Sequence, residues 1–104
     1  MSDENIKGLK LMNGAEVVAD ILNTNDDSFQ LKNAVFWDLV RVGEEKYDVQ
    51  FFPMTNGAKM EPNATHFGLD VTIQKSAVLF EYELRAEIEA KYRQFISPIL
   101  LLNK

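Results

Sequence analysis

Apolar and polar positions alternate with a period of two over much of the chain, the pattern of strands that bury one face and wet the other. Val17, Ala19 and Ile21 alternate with Glu16, Val18 and Asp20, just after Asn13-Gly14. A two-residue hairpin turn needs positive φ at both central positions, which Asn tolerates and Gly adopts freely. A hairpin is therefore predicted between Lys10-Leu11-Met12 and the segment beginning at Ala15. The polar cluster Asn23 to Ser28 interrupts the alternation, and Phe29 and Leu31 resume it around Gln30 and Lys32. Leu9 to Ala34 thus reads as a three-strand meander with an apolar inner face and a mostly wet outer one.

Val35 to Val42 is apolar on both sides, as expected of a long strand covered on both faces or lying at an interface. Gly43-Glu44-Glu45 breaks it. Tyr47, Val49 and Phe51 then alternate with Asp48 and Gln50 until Pro53, which cannot donate to a ladder. Met54 to Phe67 carries Asn56-Gly57 and Pro62 and reads as loop. Leu69, Val71 and Ile73, then Ala77 to Tyr82, supply the last strands. From Glu83 the period lengthens, with Leu84, Ile88, Tyr92 and Phe95-Ile96 marking an amphipathic helix that Ser97-Pro98 stops. Ile99 to Leu102 are four apolar residues in a row, predicted to dock on the body or on a neighbouring subunit. The chain divides into a tail (1–6), first strands (7–42), an insertion (43–67), last strands (68–82), a helix (83–97) and an apolar tail (98–104), all in one domain.

A length of 104 residues suffices for one core without staples. The absence of Cys removes disulfides and thiolate chemistry and suits a reducing cytosol. The opening Met1-Ser2-Asp3-Glu4-Asn5 is acidic where a secretory leader is basic then apolar, and no apolar run is long enough for a membrane span. A soluble, cytoplasmic protein is expected. The formal net charge of −5 argues against broad attachment to phosphate backbones, so any nucleic-acid contact must be local.

Catalytic signals are sparse. His66 lies in a loop with no second His or Cys to complete a metal site, and Ser76 has no neighbouring base. Asn23, Asn25 and Asp27 mimic the start of a calcium loop, but Ser28 replaces its glycine and Ala34 its bidentate glutamate. The aromatics Phe36, Trp37, Phe51 and Phe52 read as core or interface before base-stacking platforms. No enzyme, cofactor or metal is expected.

Two segments carry a family likeness. Leu11-Met12-Asn13-Gly14, the hydrophobic-small-hydrophobic positions Val17, Ala19 and Ile21, and Leu31-Lys32-Asn33 resemble the first motif of the Sm-like (LSm) family, including its Hfq-like bacterial RNA-chaperone branch. Gln74-Lys75-Ser76-Ala77-Val78 resembles the second motif. The resemblance implies a mainly β fold: a small, strongly bent, five-stranded antiparallel barrel, here with a long insertion between its third and fourth strands and a C-terminal helix. It also implies closed homo-oligomeric rings in which the last strand of one subunit pairs with the next, and binding of single-stranded RNA or DNA. Carried over by position, Gln74, Lys75, Ser76 and Asn25 form the nucleic-acid site, with Lys75 as the phosphate or base contact. Phe80, Tyr82, Ile99, Leu100 and Leu101 supply apolar surface between subunits.

The chain departs from the family where chemistry is concerned. The family's stacking residue falls at Asp27 and its polar neighbour at Asp26, while Gln74, Lys75 and Ser76 replace its arginine, glycine and histidine. The long insertion and trailing helix are similar to divergent Sm-like proteins of marine cyanophages, which would place the protein in the cytoplasm of an infected host. Two readings follow: a ring that binds single-stranded nucleic acid, or a structural and protein-interaction ring without it.

Overall fold

The computed structural model describes residues 4–60 and 62–97. Its elements are β1 (Ile6–Leu11), β2 (Glu16–Thr24), β3 (Ser28–Gly43), β4 (Lys46–Phe52), β5 (Leu69–Gln74), a 3-10 turn (Lys75–Ala77), β6 (Val78–Tyr82) and α1 (Ala86–Ile96). One antiparallel sheet holds all six strands in the order β4-β3-β2-β1-β6, with β5 also on β3. The proposed interface residues Ile99, Leu100 and Leu101 lie outside the described residues.

Six strands replace the five expected. The sixth is β4, the strand that the alternation of Tyr47, Val49 and Phe51 predicts, lying inside the 43–67 stretch assigned as an insertion. It forms because β3 continues for 16 residues, well past its pairing with β2, and offers a free edge. The alternating apolar residues Tyr47, Val49 and Phe51 take that edge opposite Arg41, Leu39 and Trp37. β5 pairs with the first part of the same edge, from Ser28 to Ala34, so β5 and β4 lie end to end along β3. α1 starts at Ala86, later than the 83 expected, because the chain around Arg85 is still extended (φ −62°, ψ 149°).

A hairpin forms at Asn13-Gly14, but not the two-residue turn expected: only Gly14 takes positive φ (92°), and the Gly14 N–H donates to the Leu11 carbonyl and the Leu11 N–H to the Ala15 carbonyl, both at 2.9 Å, which makes Met12 to Gly14 the loop. The Ala15 N–H also donates to Asn13 Oδ1 at 3.0 Å. On one face of the sheet, Leu9, Val17, Ala19, Ile21, Phe29, Leu31 and Ala34 form one buried cluster. Burying each large side chain there contributes about 1.5–3 kcal/mol relative to exposure.

The outer face of the Leu9 to Ala34 meander was expected to be mostly wet, yet Val18 is fully buried on it, beside Val35, whose apolar stretch was expected to be covered. The cause is α1, whose Ile88 and Tyr92 fall one turn apart and are both buried, with Phe95 continuing the stripe. Phe51 from β4 meets Phe95 at 5.0 Å and Tyr92 at 6.1 Å between ring centres. Tyr92 also donates its hydroxyl to the Asn33 carbonyl at 2.6 Å. Asn33 is a bulged position with φ 56°, and its N–H donates to Asp70 Oδ1 at 3.1 Å. Gly68 passes so close that a Cβ there would stand 2.9 Å from Asn33 Cα. One distorted residue of β3 thereby anchors the helix, β5 and the chain entering β5.

Candidate nucleic-acid interface

The two segments singled out by sequence lie about fifty positions apart and meet at one end of the sheet. β2 and β3 are joined by a turn that the Asn25 N–H closes on the Ser28 carbonyl at 2.9 Å. Ser28 faces Gln74 across the β3–β5 ladder, and the Lys75 N–H donates to the Asp27 carbonyl at 2.8 Å. The 3-10 turn is tied from the other side by the Met12 N–H, which donates to the Ala77 carbonyl at 2.8 Å. Asn25, Gln74 and Ser76 are exposed here, and Lys75 is half-buried.

The local charge differs from the bare listing of residues. The Lys75 ammonium sits 5.6 Å from the centre of the buried Phe29 ring, so its stem is held against the core while its head remains at the surface. Asp26 and Asp27 are exposed beside it. Two carboxylates next to one ammonium weaken attraction for phosphate, and among the described residues the site has no exposed aromatic on which a base could stack.

Among the other described basic residues, Lys7, Lys10, Lys91 and Arg93 are committed to ion pairs. Lys7 pairs with Glu83 at 2.6 Å and with Glu81 at 4.0 Å, and the hydrogen bond to Glu83 raises its pKa. Lys10 pairs with Glu16 at 3.3 Å. Lys91 pairs with Asp48, and Arg93 with Glu4 and Glu89. Lys7 and Lys10 are thus poorly placed to replace Lys75, whereas Lys32 is exposed and in no ion pair among the described residues.

The candidate interface residues on β6 differ from one another. Phe80 is 55 % exposed, its ring 6.0 Å from that of Tyr82 on the same face of the strand. Tyr82 turns inward across Gly8, where its hydroxyl donates to Glu16 and accepts the Trp37 Nε1–H at 3.2 Å. Burial first, and the Glu16 carboxylate second, push the Tyr82 pKa well above the ordinary tyrosine value. His66 is used locally: its Nδ1 accepts the Gly68 N–H at 3.0 Å and its ring packs on Phe95.

Sequence reasoning missed one feature of β3 and β4. The Asp38 carboxylate accepts the Leu39 N–H and the Asp48 carboxylate accepts the Val49 N–H, both at 2.8 Å. Leu39 and Val49 are cross-strand partners, so both edges of the ribbon are capped at one rung. The available signal was an Asp inside each apolar strand, since short carboxylates are depleted from strands unless they bond nearby backbone.

No known family model matches the chain, and no curated protein matches it significantly. Among the described residues no helix is long and apolar enough to cross a membrane.

Proposed function

We propose that this chain is a subunit of a closed, homo-oligomeric Sm-like ring, non-enzymatic, that contacts single-stranded RNA or DNA at Asn25, Gln74, Lys75 and Ser76. The observation that carries this reading is the joining of the two motif-bearing turns through the Lys75 N–H and the Asp27 carbonyl. If the inserted β4 is set aside, five strands run β6-β1-β2-β3-β5, the strand number of the family's bent barrel. β6 and β5 end that path, each paired on one side. Two free edges on opposite ends suit a head-to-tail contact that closes by rotation.

Fluorescence anisotropy with short oligonucleotides at low and moderate salt tests the nucleic-acid part. Binding is expected at low salt, and Lys75→Glu should weaken it and reduce the salt slope by about one. No binding at either salt rejects this part. The alternative is a ring that serves as a structural or protein-interaction module. Asp26 and Asp27 at the mouth of the site favour it, and it would leave the ring intact with no oligonucleotide affinity. A monodisperse monomer at micromolar concentration in light scattering rejects both.

A further inference from the structure

Past Trp37 the β3–β4 ribbon leaves the rest of the sheet. β2 pairs with β3 no further than Phe36, and β5 no further than Ala34, so Asp38–Gly43 and Lys46–Val49 form a two-stranded arm. Such ribbons are marginal by themselves. The arm nevertheless exposes apolar surface on its helix-facing side, where Leu39 is 48 % and Tyr47 61 % exposed, with Arg41 opposite Tyr47. Between this side and the first half of α1 lies a groove of about 640 Å³, floored by Trp37, Leu39, Val49 and Ile88.

The arm is built to be met on this side and not along its edges. Asp38 and Asp48 occupy outward N–H groups on its two edges, and Lys91 holds Asp48 at 2.6 Å. A strand added at either edge would have to displace the carboxylate there. Among the described residues, no side-chain hydrogen bond closes the outer edge of β5 or β6 in this way.

A second copy of the chain supplies the fitting surface. At the far end of the strand path, β6 exposes Leu79 (54 %) and Phe80 (55 %). Beside them Glu81 and Glu83 share the ammonium of Lys7. The groove's own rim is balanced, with Lys91 on Asp48 and Arg85 near Glu87, so the fit rests on the apolar surfaces. β4 continues the edge of β3 on which β5 lies, so a β6 strand laid along β5 reaches the base of the arm.

We infer that the β3–β4 arm is an intersubunit clamp whose Leu39 and Tyr47 cover Phe80 of the neighbouring copy. This rests on the ring reading and assigns the arm a part in it. The contact is heterologous, because arm and β6 are different surfaces of one subunit.

The test is sedimentation velocity on the full chain as wild type, Tyr47→Asp and Phe80→Asp, alone and as an equimolar mixture of the two variants. Both positions are exposed, so the variants should keep the wild-type far-ultraviolet circular dichroism; Tyr47→Ser, which removes the ring without adding charge, is the second arm variant. Each variant is expected to raise the dissociation concentration at least about tenfold, the scale of losing one anchoring aromatic. At concentrations where each variant alone is monomeric, the mixture should form a dimer and nothing larger, since one intact arm–β6 contact remains per pair. A wild-type oligomer that Tyr47→Asp and Tyr47→Ser leave unchanged overturns the clamp and spares the ring. A monomeric wild type removes the ring reading itself.

Discussion

The ring of Tyr82 occupies the place that a side chain on Gly8 would need. Gly8 and Tyr82 are cross-strand partners in β1 and β6, and a Cβ at position 8 would fall within the tyrosine ring. The empty position lets Tyr82 cross β1 and reach Glu16 on β2 and Trp37 on β3 with one hydroxyl. Gly8→Ala should therefore destabilise the fold by about 1–3 kcal/mol, the usual range for overpacking. In a Tyr82→Ala background the same change should become neutral or favourable, because Ala suits a strand better than Gly and nothing remains to clash. Urea denaturation of the four variants checks this, and equal costs in both backgrounds would refute it.

Tyr92 tests how firmly α1 is attached. Its side chain is fully buried and its hydroxyl serves the bulged carbonyl of Asn33 at 2.6 Å. Tyr92→Phe keeps the packing and leaves that carbonyl without its donor, at a cost of about 1–3 kcal/mol. The loss should appear in chemical denaturation, with protease sensitivity rising first in α1.

The aspartates of the arm should act on association more than on stability. Replacing Asp38 and Asp48 together by Ala frees both edge N–H groups, and light scattering on concentrated samples should show growth of large aggregates. Lys91→Ala removes the ion pair but not the caps, so it should leave solubility unchanged. Aggregation of the Lys91 variant alone would shift the explanation to charge.

His66 makes the stability depend on acid. Burial holds its pKa below the ordinary 6.5, with Asp70 opposing weakly, and its Nδ1 must stay unprotonated to accept the Gly68 N–H. The folded state therefore binds this proton less readily than the unfolded chain. The stabilisation is fully present above pH 6.5 and is lost as pH falls through the lower folded value. His66→Asn keeps a side-chain acceptor for the N–H two residues on and removes the titration. Thermal melts should show a shallower loss of stability for this variant just below pH 6.5 than for wild type.

Much of the fold is legible before any coordinates. Period-two alternation located β2, the first half of β3, β4 and β5, and Asn13-Gly14 located their first hairpin, because these signals are local: pleat and turn chemistry act within a few residues. The site was legible as two separate segments. Their meeting depends on Ser28 facing Gln74 and on one backbone hydrogen bond to Asp27, which are matters of sheet register.

What the sequence determined by itself was thus the strands, the turn, the amphipathic helix and the charge that limits nucleic-acid contact. Tertiary structure alone decided that Val18, on a face read as wet, is buried by α1, and that Val35 to Val42 is half core and half uncovered arm. It also decided that of Phe80 and Tyr82, on one face of β6, Tyr82 is drawn into hydrogen bonds across Gly8 while Phe80 stays exposed. The physical reason is the same in each case. An apolar residue in a strand specifies that something must cover it, and only the path of the rest of the chain specifies what does.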